Sequence, residues 1–194
     1  MITPRRRAPR KEAANLRDAL RLHTTDVHEA LDARLSTLDL TSPEGRRPFS
    51  RIQLRAYLGL AAACQGEAAE ATAQLSLVID ALQADLGRDA CAMSPPLLRP
   101  ALCPDAVAYV TLGSQLGLAV LRRGVPEEDR AGLFALTPDT VAWRAFCERM
   151  RDTSPEGPAA EQVLDDAIGA FRVFDEATRV ELLSHNEKIQ RPIS

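Results

Sequence analysis

No stretch of about 18 consecutive apolar residues, the length a helix needs to cross a bilayer, occurs in this chain of 194 residues. A membrane-spanning role is not expected, and Ser184 to Ser194 is polar. Neither sign of charge dominates: 24 Lys and Arg stand against 27 Asp and Glu, a net −3, so no chain-wide positive field gathers nucleic acid or anionic lipid. The four cysteines, Cys64, Cys91, Cys103 and Cys147, form no C-x-x-C pair, and a domain of this size needs no disulfide staples. They are expected as reduced, mostly buried thiols of a cytoplasmic protein. Aromatic residues make up only 4% of the chain, and a wholly helical fold offers no sheet platform on which single strands stack. No phosphate-binding G-x-x-x-x-G-K-[ST], G-x-S-x-G, H-E-x-x-H or Rossmann glycine pattern is present. None of the three histidines follows a glutamate by three residues, which weakens any di-iron reading built on Glu-x-x-His pairs.

What the chain has is helical periodicity. With 45% hydrophobic and 26% charged residues it reads as one globular, all-α domain over residues 15–184, between a disordered basic tail at 1–14 and a polar tail at 185–194. Arg5, Arg6, Arg7, Arg10 and Lys11 precede a charged helical pattern rather than the apolar stretch of an export signal. A first helix is expected from about Asn15 to Leu38, with Leu16, Leu20, Val27, Leu31 and Leu35 on one stripe. Thr41-Ser42-Pro43-Glu44-Gly45 is expected as a turn that stops it. Further helices are expected over 51–73 and 74–86, as two helices or one bent rod, then over 105–123 and around 127–134. Another is expected over 138–151 with Thr137 as N-cap and Pro138 at the first position, and a last one over 159–183, with Val163, Ala167, Ala170, Phe171 and Phe174 inward. The prolines 95, 96, 100 and 104 mark an irregular connection. Trp143 and Phe146, at i and i+3, read as core.

Two segments stand out chemically. His23 and His28 both fall at the border of the first helix's apolar stripe, and periodicity does not choose between them. Asp32, one turn after His28, is placed to accept one imidazole N–H and leave the other nitrogen free as a ligand; His23 has Val27 there. The second segment is Tyr109-Val110-Thr111-Leu112-Gly113-Ser114-Gln115-Leu116-Gly117 in an otherwise strong helix. Each interior glycine costs about 1 kcal/mol relative to alanine, and Gly113 and Gly117 share a face one turn apart. Either another helix packs closely on that bare backbone or a flat ligand lies against it, with Ser114 turned to a water or back to the backbone.

Together the two segments resemble the haem oxygenases, in particular the small soluble bacterial type that produces biliverdin. The likeness rests on Leu20-Arg21-x-x-Thr24-x-x-x-His28-x-x-Leu31-Asp32, similar to that family's proximal helix, and Tyr109-Val110-x-x-Gly113-Ser114-x-x-Gly117, similar to its distal helix. Asp85-Leu86-Gly87, Trp143-x-x-Phe146 and Phe171 with Phe174 extend it over most of 15–183. The resemblance implies a haem-oxygenase-like helical bundle with His28 as proximal iron ligand and Asp32 behind it. It implies Arg21 at a haem propionate, Tyr109 and Leu118 beside the haem, and Gly113, Ser114 and Gly117 on the face where O2 reacts. Leu118 stands where the family usually has a further glycine. The implied chemistry opens haem, at once substrate and cofactor, to biliverdin, ferrous iron and carbon monoxide. With no flavin or nicotinamide motif, the electrons are expected from a ferredoxin or flavodoxin-type reductase system, and a photoreceptor is one candidate recipient of biliverdin. A catalytically silent haem-binding or sensing protein and a haem-free interaction scaffold are the alternatives.

Overall fold

Leu16–Leu35 forms the first helix, α1, because Asn15 closes its open N-terminus: the Asn15 side-chain oxygen accepts from the Asp18 N–H at 3.0 Å. The helix ends at Leu35, three residues short of the expected Leu38, where Ser36 and Thr37 turn their hydroxyls back onto the carbonyls of Ala33 and Arg34. The computed structural model describes residues 13–65, 69–96 and 101–190. Among these are seven α-helices and no strand, so the all-α reading holds. Residues 1–12 of the expected basic tail and 191–194 of the expected polar tail lie outside the described residues.

The second helix, α2, runs over Pro43–Ala63 rather than 51–73. The cluster around Pro43 and Gly45 is a helix start, not a turn that excludes helix. Ser42 caps Gly45 N–H at 3.3 Å, and Pro43 occupies the first turn, where its missing N–H costs nothing. Pro48 lies inside α2 and is buried, its ring compensating in packing for one lost backbone bond. The next helix, α3, spans Ala69–Leu86 and is separate, since the chain leaves α2 at Cys64 and Gln65 to pair with Leu102 in an isolated bridge. Gly87, at φ 55, ends α3 and leads into the short α4, Arg88–Cys91.

Helix α5, Pro104–Leu121, continues into a 3-10 turn at Arg122–Gly124. The stretch expected as a short helix around 127–134 is two further 3-10 turns, Glu127–Asp129 and Gly132–Ala135. Helix α6, Thr140–Arg151, begins two residues later than expected, because Asp139 rather than Thr137 supplies the cap, accepting from Ala142 N–H at 2.8 Å. The last helix, α7, runs over Pro158–Gln190 and packs against α1, α2 and α5. Its Val163, Ala167, Ala170, Phe171 and Phe174 are all buried. Two arginines of α2, Arg51 and Arg55, reach the buried Glu181 of α7 through their Nε atoms at 2.7 and 2.9 Å, pinning the two helices together.

Leu16, Leu20 and Leu31 of the α1 stripe are buried, whereas Val27 and Leu35 are half-buried. Of the cysteines only Cys147 is buried. Cys64 and Cys103 are half-buried and Cys91 is exposed, all four as free thiols. Burial pushes the Cys103 thiol up to about 11 and the Cys64 thiol up as well, so neither is a ready nucleophile.

Candidate functional site

Where α1, α2, α5 and α7 diverge, they enclose a cavity of about 960 Å3. That is the upper end of the roughly 300–1,000 Å3 of small-molecule and cofactor sites. Seven of the eight residues singled out in the sequence line it: His28 and Asp32 from α1, and Tyr109, Gly113, Ser114, Gly117 and Leu118 from α5. Phe171 and Phe174 of α7 and Trp143 of α6 supply much of its apolar wall.

His28 is the histidine of the cavity; His23 is not among its lining residues. The His28 Nδ1 lies 3.0 Å from Asp32 Oδ2 across one helical turn. A carboxylate only accepts, so Nδ1 carries a hydrogen, and in the neutral ring the lone pair falls on Nε2. The ring meets Phe171 edge-on, its centroid 5.4 Å away, which limits its rotation. More than half of the His28 side chain, 56%, is nevertheless open. The donor atom is held without being covered.

The α5 wall has a different character. A methyl group on Gly117 would meet no atom within 4 Å outside its own helix backbone and chain neighbours, and one on Gly113 would meet the Trp143 ring at 3.7 Å, an ordinary contact. Close helix packing therefore explains neither glycine. Gly59 of α2 shows the contrast: there a methyl would fall 2.6 Å from Val173 Cγ1 and 2.9 Å from Pro96 Cδ.

Between the glycines, the Ser114 hydroxyl donates to the carbonyl of Thr111 at 2.9 Å and lies 2.5 Å from the Tyr57 hydroxyl. Since Ser114 has spent its one proton, Tyr57 is the donor of the pair. Ser114 is left with an acceptor lone pair and no hydrogen for a ligand. Burial pushes the Tyr57 phenol up to about 12, against the opposing pull of the Ser114 hydrogen bond, so it stays protonated at neutral pH. Tyr57 lines the cavity and packs edge-on to Phe174 at 5.4 Å. Nothing in the sequence pattern marks it: a tyrosine on the apolar face of α2 looks like any core aromatic, and its partner is 57 residues away.

Arg21 does not line the cavity. Seven residues before His28 it lies on the same side of α1, but two turns farther along the axis and exposed. Thr24, three residues on from Arg21, is buried and lies 3.2 Å from the Tyr109 hydroxyl. Burial raises the Tyr109 phenol, while the Thr24 hydrogen bond and the charges of Arg17 and Arg21 oppose the rise. Tyr109, Trp143 and Phe146 close this end of the cavity as an aromatic group, with centroids 5.8 to 6.2 Å apart. Compared with family models, with curated proteins and with solved structures, the chain finds no match in any of the three.

Proposed function

We propose that the cavity binds haem and that the protein is a haem oxygenase, opening haem to biliverdin, ferrous iron and carbon monoxide with O2 and electrons from an external ferredoxin or flavodoxin-type reductase system. The observation that carries this reading is the pairing, in one cavity, of an imidazole whose Nδ1 is held by Asp32 and a helix face left bare at Gly113 and Gly117 with no packing reason. The donor set suits iron of a flat tetrapyrrole: one nitrogen ligand on one wall, an open opposite wall and apolar surroundings. Haem, when bound, supplies the redox-active iron at which O2 is reduced.

The residues of the chain do the rest. Asp32 fixes the tautomer and orientation of His28. Bare backbone at Gly113 and Gly117 lets α5 come down close to a bound ring, so that only one edge of the ring is left open to attack. Tyr57, still protonated at neutral pH, donates its hydrogen bond to Ser114, and the remaining Ser114 lone pair would orient a water or another hydrogen-bond donor in the cavity. Phe171 packs edge-on to His28 and Phe174 edge-on to Tyr57, so both rings that serve the cavity are held by an apolar wall on α7.

The test is catalytic. Purified protein loaded with haemin is mixed in air with a reductase, ferredoxin and NADPH. Loss of the Soret band with growth of biliverdin absorbance supports the reading; a haem complex that persists with every donor contradicts turnover. That second outcome belongs to a catalytically silent haem-binding or sensing protein, which one observation favours: Leu118 contributes side-chain bulk to the cavity wall directly after Gly117. In that case Leu118→Gly restores turnover.

A further inference from the structure

Gln115 lies between Ser114 and Leu116 on α5, lines the cavity and is 3% exposed. A buried carboxamide needs partners, and its partners come from two other elements. Its Nε2 donates to Gln74 Oε1 of α3 at 3.0 Å, and Gln74 Nε2 donates to Asp139 Oδ2 at 3.0 Å. Asp139 N–H points back to Gln115 Oε1 at 3.4 Å, closing a ring of three residues. The other Asp139 oxygen caps α6 through Ala142 N–H. One turn into that helix sits Trp143, whose ring is the neighbour of Gly113 across the cavity wall.

We propose that Gln115 is a positioning residue, fastening the Gly113–Gly117 stretch of α5 to α3 and to the start of α6 so that the bare face, the Ser114 hydroxyl and the Trp143 ring keep a single arrangement. The proposal rests on the haem reading for its consequence in turnover, but not for the arrangement itself. An apolar residue would fill the position equally well if only packing were needed. The carboxamide adds direction: both of its ends are used, and a small shift of α5 along its axis breaks the ring at two points. Such a shift would move Ser114 against Tyr57 and let more than one ring edge face the open side of the cavity.

The experiment compares the whole chain with Gln115→Leu and Gln74→Leu, and with Ser50→Ala, which removes a hydrogen bond to Asp85 away from the cavity. Trp143 is the sole tryptophan, so fluorescence reports the cavity wall without any ligand. In both glutamine variants the emission is expected to shift red and acrylamide quenching to rise, while Ser50→Ala matches wild type even where its melting temperature falls. With haemin and the reductase system, turnover is expected to fall by about 10- to 100-fold, as misplacement of a reacting group does, and a single biliverdin isomer to become a mixture. Unchanged Trp143 signals in both glutamine variants, or the same change in Ser50→Ala, overturn the proposal. Absence of a Soret band in wild type overturns the haem reading instead, and the fluorescence comparison still decides the role of Gln115.

Discussion

The Thr111 hydroxyl is buried on α5 with no hydrogen-bond partner among the described residues. An unpaired buried hydroxyl costs about 1–3 kcal/mol, and valine keeps the shape without the oxygen. Thr111→Val is therefore expected to raise stability by about 1 kcal/mol, read as a higher urea midpoint; a lower midpoint would mean that the hydroxyl has a partner after all. Tyr57 gives a pH signature. Its phenol titrates near 12 in the fold and near 10 in the unfolded chain. A raised folded pKa gives stability that is whole below pH 10 and is lost as pH climbs toward 12. The two-unit gap corresponds to roughly 3 kcal/mol. Alkaline unfolding of wild type should begin in that window, and Tyr57→Phe should remove much of the slope there; equal slopes would place the tyrosine in solvent.

At the scale of helices, the two kinds of glycine should behave oppositely. Gly59→Ala pushes a methyl into Val173 and Pro96 at the α2–α7 crossing, so the melting temperature should drop. Gly117→Ala meets nothing and gains helix propensity, so it should melt higher, by about 1 kcal/mol of stability. The same methyl stands in the cavity, so haemin affinity should fall although the protein is more stable; affinity equal to wild type would show that the bare face serves no ligand. Helix content was legible in the sequence because periodicity survives any tertiary arrangement. Boundaries were not: Ser42 became a cap only because the backbone arrives extended there, Asp139 because its non-helical backbone turns its carboxylate onto the Ala142 N–H, and Pro48 disguised the interior of α2. His28 with Asp32, and Gly113 with Gly117, were legible because each pair sits on one helix at i and i+4, where spacing alone fixes proximity. Tyr57 and the Gln74–Gln115–Asp139 ring were not, since their contacts exist only once distant helices meet.

Over the whole molecule, the long α7 organises the fold and the cavity together. It packs against α1, α2 and α5, is tied to α1 through the Arg34–Asp175 pair and to α2 through Glu181, and presents Phe171 and Phe174 to the cavity just ahead of these anchors. No described helix is long and apolar enough to cross a membrane, and no group of three or more acidic, histidine or cysteine side chains gathers among the described residues as a metal cage. Under the haem proposal the His28 imidazole would be the protein's ligand, a donor set suited to iron already held by a tetrapyrrole. The most direct measurement is a haemin titration of wild type, His28→Ala and His23→Ala, read by the Soret band and by the ligation-sensitive visible bands. The account predicts one haemin per chain in wild type and His23→Ala, with the histidine signature lost in His28→Ala and regained on adding free imidazole. A wild type without a Soret shift, or a His28→Ala complex with the same spectrum as wild type, would contradict it.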